Sequence, residues 1–254
     1  MNRRTWLGVG AAALGAVGLT WWQRNPIARW ALTRRTNQGV ALSALKADEQ
    51  TCVVTPEQVE GPFFFHAPQR SDIREDRTGV PLDLQLRVIQ AGNCAPIAGA
   101  LVELWHCDAA GRYSGYPEDL SRRPFETMLY LSGQDVSVPP ENEKLFLRGA
   151  QTTDAQGTVA FTTIFPGWYE PRVAHIHAKV FIDGRSYTTT QLYFPDKQAH
   201  AIYSRHPDYA PHGLCPYNHD NDVVLGSNPE AQGLLLHTSN QSDGLAAQCQ
   251  LAVA

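Results

Sequence analysis

Leu82-Asp83-Leu84-Gln85-Leu86-Arg87-Val88 alternates apolar and polar side chains without a break. Successive side chains of a strand point to opposite faces, so this period of two describes a strand with one face in a core and one toward water. Ala100-Leu101-Val102-Glu103-Leu104-Trp105 follows the turn signal Cys94-Ala95-Pro96 and reads as a second strand. Thr158 to Ile164, introduced by Asp154-Ala155-Gln156-Gly157, reads as a third. Ala174 to Ile182 and Ser186 to Phe194 flank Asp183-Gly184, a strong hairpin signal. Asp222 to Leu225 is expected to add a last short strand. No long segment after residue 50 shows apolar residues at a 3.6-residue period, and there are no internal repeats. The expected fold is all-β: a single β-sandwich with long loops that carry function.

Composition agrees with one such domain. The 254 residues are 43% hydrophobic and 18% charged, enough apolar content for a sizeable core and too much for a disordered chain. The 20 glycines and 17 prolines are scattered as turn punctuation. A formal charge of -4 with no basic stripe excludes binding through a nucleic-acid phosphate backbone.

Residues 1–24 stand apart from the sandwich. Arg3 and Arg4 precede an uncharged, Gly- and Ala-rich stretch from Thr5 to Gln23, the pattern of a twin-arginine-like export signal. The stretch is close to the ~18 residues needed to span a bilayer, and Trp21 and Trp22 follow where a small-x-small cleavage site would stand. The expectation is an N-terminal export or anchor helix, with a periplasmic or extracellular destination and a tether to the membrane as one outcome. Residues 25–50 read as a linker, whose Arg29, Arg34 and Arg35 suit either solvent or anionic headgroups. The sandwich is expected over 51–228, with 229–254 as a C-terminal tail.

The chemistry concentrates in Tyr169-Glu170-Pro171-Arg172-Val173-Ala174-His175-Ile176-His177. Residues i and i+2 of a strand share a face, so His175 and His177 can converge on one ion. A His-x-His pair alone is compatible with two exposed histidines or with a copper or zinc site. A cupin would need a glutamate shortly after the second histidine, where Lys179, Val180 and Phe181 stand. For a zinc hydrolase the further donors available are His106, His206, His212 and His219. Tyrosine discriminates, because a phenolate is a hard anionic ligand suited to ferric iron.

Three further motifs precede the histidines in order: Thr55-Pro56-Glu57-Gln58-Val59-Glu60-Gly61-Pro62-Phe63-Phe64, Trp105-His106-Cys107-Asp108-Ala109-Ala110-Gly111-Arg112-Tyr113-Ser114, and Pro166-Gly167-Trp168-Tyr169. Together the four resemble the intradiol ring-cleavage dioxygenases, the family of catechol and protocatechuate dioxygenases, from about residue 52 to about residue 228. The resemblance implies a non-haem Fe(III) site with Tyr113, Tyr169, His175 and His177 as ligands, Tyr116 being the rival to Tyr113. It also implies that Arg172 and Gln191 act in catalysis. The activity implied is cleavage of a small aromatic diol by O₂ to a muconate-type diacid, with the substrate displacing Tyr169 while the other three ligands stay. Only two residues separate Tyr169 from Arg172, fewer than in the catechol and protocatechuate enzymes, which leaves the pocket walls and the substrate open. A reading from another class is a non-catalytic sandwich used for binding at the cell envelope.

Other residues are expected in supporting places. Trp105 is taken as core, His106 as structural or next to the site, and Asp108 as a turn former. Phe63, Phe64 and Phe65 either border a pocket or pack in the core, and His206, His212 and His219 are expected to be exposed. Of the five cysteines, Cys52 and Cys107 adjoin motifs that should border the site, so that pair is the expected disulfide; Cys94, Cys215 and Cys249 remain.

Overall fold

The computed structural model describes residues 52–116, 138–225, 229–230 and 232–254. The expected N-terminal helix and the 25–50 linker lie outside these residues. No helix among the described residues is long and apolar enough to cross a membrane.

Among the described residues eight strands form two four-stranded sheets: β1 (Pro81–Gln90), β2 (Leu101–Trp105), β3 (Arg148–Thr152), β4 (Thr158–Ile164), β5 (His175–Ile182), β6 (Arg185–Tyr193), β7 (His237–Asn240) and β8 (Leu245–Val253). One sheet has the order β4-β1-β8-β7 and the other β3-β2-β5-β6. β1 lies antiparallel to β4 and parallel to β8, while every neighbouring pair of the second sheet is antiparallel. Leu82, Leu84, Leu86 and Val88 of β1 face inward against Val102, Leu104, Ile176, Ala178, Val180 and Leu192 of the second sheet. Burying such a face against another sheet is what the period-two pattern demands.

Three expectations need correction. Residues 229–254 are no tail, since Leu245–Val253 is the strand beside β1, with Leu245, Ala247, Cys249, Leu251 and Val253 buried. Its alternation is written in alanine and glutamine, which weakens the apolar contrast that marks a strand. Asp222 to Leu225 is a turn rather than a strand, because the Asp222 carboxylate accepts the Val224 and Leu225 amides at 2.9 and 3.0 Å. The disulfide joins Cys52 to Cys94, and Cys107 is a buried free thiol at the end of β2, directed at the Gly167 carbonyl. Cys52 is brought to the turn after β1 instead, where its carbonyl accepts the Gly92 amide at 2.9 Å. One helix, α1 (Asp196–Arg205), is also present among the described residues. Only Ala199 and Tyr203 of its ten residues are buried, too short an apolar stripe to register as a period.

The outer face of the second sheet positions the site. Residues opposite one another in antiparallel strands share a face, so Arg148 (β3), Trp105 (β2), His177 (β5) and Gln191 (β6) form one cross-strand row. His175 and Tyr193 form the adjacent pair on that face. A strap preceding β1 crosses above this row. The Gln58 amide bonds the Thr189 carbonyl at 2.8 Å, Glu60 pairs with Lys179, and Phe64 packs on Trp105 with centroids 4.9 Å apart. His66 then reaches Glu103, and Gln69 bridges to Ala150. The strap turns what would be a solvated sheet face into a buried one.

Candidate metal centre

His175 and His177 lie at the start of β5 and are almost wholly buried. His175 Nδ1–H donates to the Val173 carbonyl at 2.7 Å, which leaves the Nε2 lone pair pointing away from that carbonyl. Into that lone pair point two phenols: the Tyr113 hydroxyl at 3.3 Å and the Tyr169 hydroxyl at 3.2 Å, themselves 3.5 Å apart. The two imidazoles meet edge to face with centroids 4.9 Å apart. All four expected donors are therefore brought together. Tyr116 is not one of them, since its hydroxyl donates to the Val138 carbonyl at 2.5 Å.

Glycines allow the two tyrosine loops to converge. A Cβ on Gly111 would stand 2.3 Å from the Trp168 carbonyl oxygen, and one on Gly167 would stand 2.5 Å from that of Asp108. Only residues without a side chain let the loop bearing Tyr113 lie flat on the loop bearing Tyr169. Asp108 is the expected turn former: its carboxylate accepts the Ala110 and Arg112 amides, each at 3.0 Å.

Burial holds His175 and His177 well below the ordinary imidazole range, and the Arg172 charge adds to it, so both rings are neutral and ready to donate lone pairs. Burial likewise pushes the Tyr113 phenol well above its ordinary value. Such a phenol ionises only against a strong nearby cation. The His177 Nδ1 is buried with no hydrogen-bond partner among the described residues. No three His, Cys, Asp or Glu side chains converge among those residues, so the further donors here are phenolic. Two imidazoles, one of them with an unsatisfied ring nitrogen, and two phenols fit a ferric ion, whose hardness favours anionic oxygen.

The remaining expected residues surround these donors. Arg172 is fully buried, not on the surface beside Glu170. Its Nε faces both oxygens of Asp222 at 3.0 Å, and its Nη2 donates to Gln191 Oε1 at 2.5 Å and to the Tyr193 hydroxyl at 3.1 Å. Gln191 Nε2 donates to the Val59 carbonyl of the strap at 2.9 Å, which fixes its amide so that the oxygen faces Arg172. Sequence reasoning missed Asp222 and Tyr193. Asp222 lies far along the chain in an apparent apolar run, and only its charge offered a signal.

Trp105 is buried as expected, but on the outer face: its ring stacks on His177, centroids 4.7 Å apart and 10° from parallel. His106 is structural, donating and accepting between the Cys107 carbonyl and Thr163 Oγ1, and burial pushes it down to about 4. Phe63 packs on Tyr113 and Tyr116, so the phenylalanine run borders the donors. His206, His212 and His219 are half-buried, not exposed. They are held by the Asp208 carboxylate and by the Trp168 and Phe194 carbonyls.

A family model described as dioxygenase matches residues 56–204, from the strap into α1. The chain belongs to the intradiol dioxygenase family. It is 28% identical over 158 residues to a chlorocatechol 1,2-dioxygenase of Pseudomonas sp. (strain P51), covering 54% of each chain. It is 32% identical over 131 residues to the protocatechuate 3,4-dioxygenase beta chain of Burkholderia cepacia, covering 47% of this chain and 48% of that one. The chain thus spans about half the length of the curated relatives it matches. Among solved structures, an intradiol ring-cleavage dioxygenase from Tetranychus urticae superposes with a TM-score of 0.68 at 31% identity, over 80% of this chain and 95% of that one. The two tyrosine loops and the His-x-His strand lie within the matched region.

Proposed function

We propose that this protein cleaves a catechol-type aromatic diol with O₂ between the two hydroxyl-bearing carbons, giving a muconate-type diacid that retains both oxygen atoms. Fe(III) would be held by Tyr113, Tyr169, His175 and His177. The observation that carries this reading is the convergence of two phenol oxygens on one imidazole lone pair inside a buried space. The names of the relatives, catechol, chlorocatechol and protocatechuate dioxygenases, support the substrate class.

Bound ferric iron would supply the Lewis acidity and the electron path that let a diol react with O₂. The chain's own residues bind, orient and move protons. Tyr169 opens a tight turn closed by the Arg172 amide on its carbonyl at 2.5 Å, and its phenol oxygen is placed to take a proton from the incoming diol. Arg172, aimed by Gln191 and Asp222, presents permanent positive charge where negative charge develops on the ring. Phe63 and Trp105, with the strap above them, exclude water.

Purified protein should hold about one iron per chain and be red-brown from the tyrosinate-to-iron absorption, consuming O₂ with a catechol. Tyr113→Phe should weaken that absorption and abolish turnover, and His175→Ala should abolish tight iron binding, because imidazole supplies half the donors. A colourless wild-type protein with zinc or copper bound would end the proposal, as would full colour in Tyr113→Phe.

We also propose that residues 1–24 direct export. The Cys52–Cys94 disulfide supports this, since such bonds persist in oxidising compartments. Replacing Arg3 and Arg4 by lysine should retain the protein in the cytoplasm on fractionation, and unchanged export would sink the twin-arginine route.

A further inference from the structure

Arg148 is a fully buried cation on the sheet face that carries the donors, and it forms no ion pair among the described residues. Its Nε donates to Ser114 Oγ at 2.8 Å and its Nη2 to the Ser114 carbonyl at 3.2 Å. Its guanidinium lies 3.8 Å above the Phe65 ring, and its Nη1 is buried with no hydrogen-bond partner among the described residues. Burying a charge without a counter-ion is costly, and an apolar residue of similar volume would fill the same space without that cost. Stability is therefore a poor reason for an arginine here.

The partner it selects supplies a better one. Tyr113 belongs to no strand. Upstream, the Asp108 carboxylate holds the Arg112 amide, and downstream a turn carries the chain through Ser114 and Gly115, whose φ is 83°. The Tyr116 amide closes that turn on the Tyr113 carbonyl at 3.2 Å. Arg148 is the first residue of β3, in register with Trp105 and hence with His177, the ring that Trp105 stacks on. It thus ties the turn after one phenol donor to the strand row that holds one imidazole donor. A planar fork can hold the hydroxyl and the carbonyl of one serine together, whereas the ammonium of lysine is a point charge.

We infer that Arg148 is a positioning residue for Tyr113, acting through Ser114 to aim the phenol at the shared metal position, an inference that rests on the ferric reading above. The test is a double-mutant cycle read by visible absorption and resonance Raman of the iron-loaded protein. Arg148→Met should stay folded by circular dichroism and lose about half of the tyrosinate absorption, the share of one of two phenols. Its spectrum should approach that of Tyr113→Phe, and adding Arg148→Met to Tyr113→Phe should change nothing further. Arg148→Lys should not restore the band, because charge without the fork does not hold both acceptors. Ser114→Ala, which keeps the buried charge, should shift the band the same way by less.

An unchanged band in Arg148→Met or in Ser114→Ala would overturn the inference. So would an equal loss in the Tyr113→Phe background, which would show a general disturbance rather than an effect on Tyr113. Full recovery by lysine would assign the effect to charge alone and overturn it too. A wild-type protein with no tyrosinate band would remove the ferric reading and this inference together, whereas a normal wild-type band with silent variants would remove only the inference.

Discussion

Arg172→Leu is expected to lower kcat by ~10²–10³-fold while iron content and colour persist, the loss typical of removing one pre-placed donor at a developing charge. That corresponds to about 3–4 kcal/mol of transition-state stabilisation. The hydrogen bonds of Arg172 to the described residues include those to Asp222, Gln191 and Tyr193, which are not among the four expected metal donors. Removing the guanidinium should therefore leave the metal in place. The leucine also strands the Asp222 carboxylate in a fully buried position, so stability will fall with activity. The double variant Arg172→Leu with Asp222→Asn separates the two effects: the thermal midpoint should recover and turnover should not. Steady-state O₂ uptake, iron analysis and melting curves on the three proteins decide it. Recovery of turnover in the double variant would reduce Arg172 to a structural residue.

Asp222→Ala is expected to cost about 3–5 kcal/mol of folding stability, because it removes one partner of the fully buried Arg172–Asp222 ion pair. The same carboxylate accepts the amides of Val173, Val224 and Leu225, so its loss also frees buried donors beside the His-x-His strand. Asp222→Asn keeps the shape and some of those bonds and should cost less. Chemical denaturation of the metal-free proteins measures both. A cost below ~1 kcal/mol for Asp222→Ala, the range of a surface pair, would mean that solvent reaches Arg172 and that the burial argument fails.

The two strands around Asp183-Gly184 and the alternating β1 were legible because their apolar contrast is local and strong. β8 was not, since alanine at Ala247 and Ala252 occupies core positions with little apolar surface to mark them. The turn at Asp222 read as a strand because Val223, Val224 and Leu225 are apolar for a different reason. They pack beneath the site and the β6 end rather than alternating across a sheet. The Cys52–Cys94 bond was invisible for want of any local cue to the return of the chain past the turn after β1.

The four donors were legible as types, because two histidines at i and i+2 must share a strand face and the resemblance to the family implies the tyrosines after Gly-Arg and after Pro-Gly-Trp as their partners. Their convergence was not. Tyr113 and Tyr169 meet His175 only because Gly111 and Gly167 let two loops touch and because Arg148 and Asp108 brace one of them. Likewise, Arg172 could be named from the family resemblance, three residues before His175, but its direction is set by Asp222 and Gln191, fifty and nineteen residues away. Period and residue chemistry act over a few residues, so sequence determined β1, β2, β4, β5 and β6, the donor types and the family. Desolvation, charge pairing and close backbone approach act across the fold, so only the tertiary structure decided which side chains meet, in what protonation state, and under which cover.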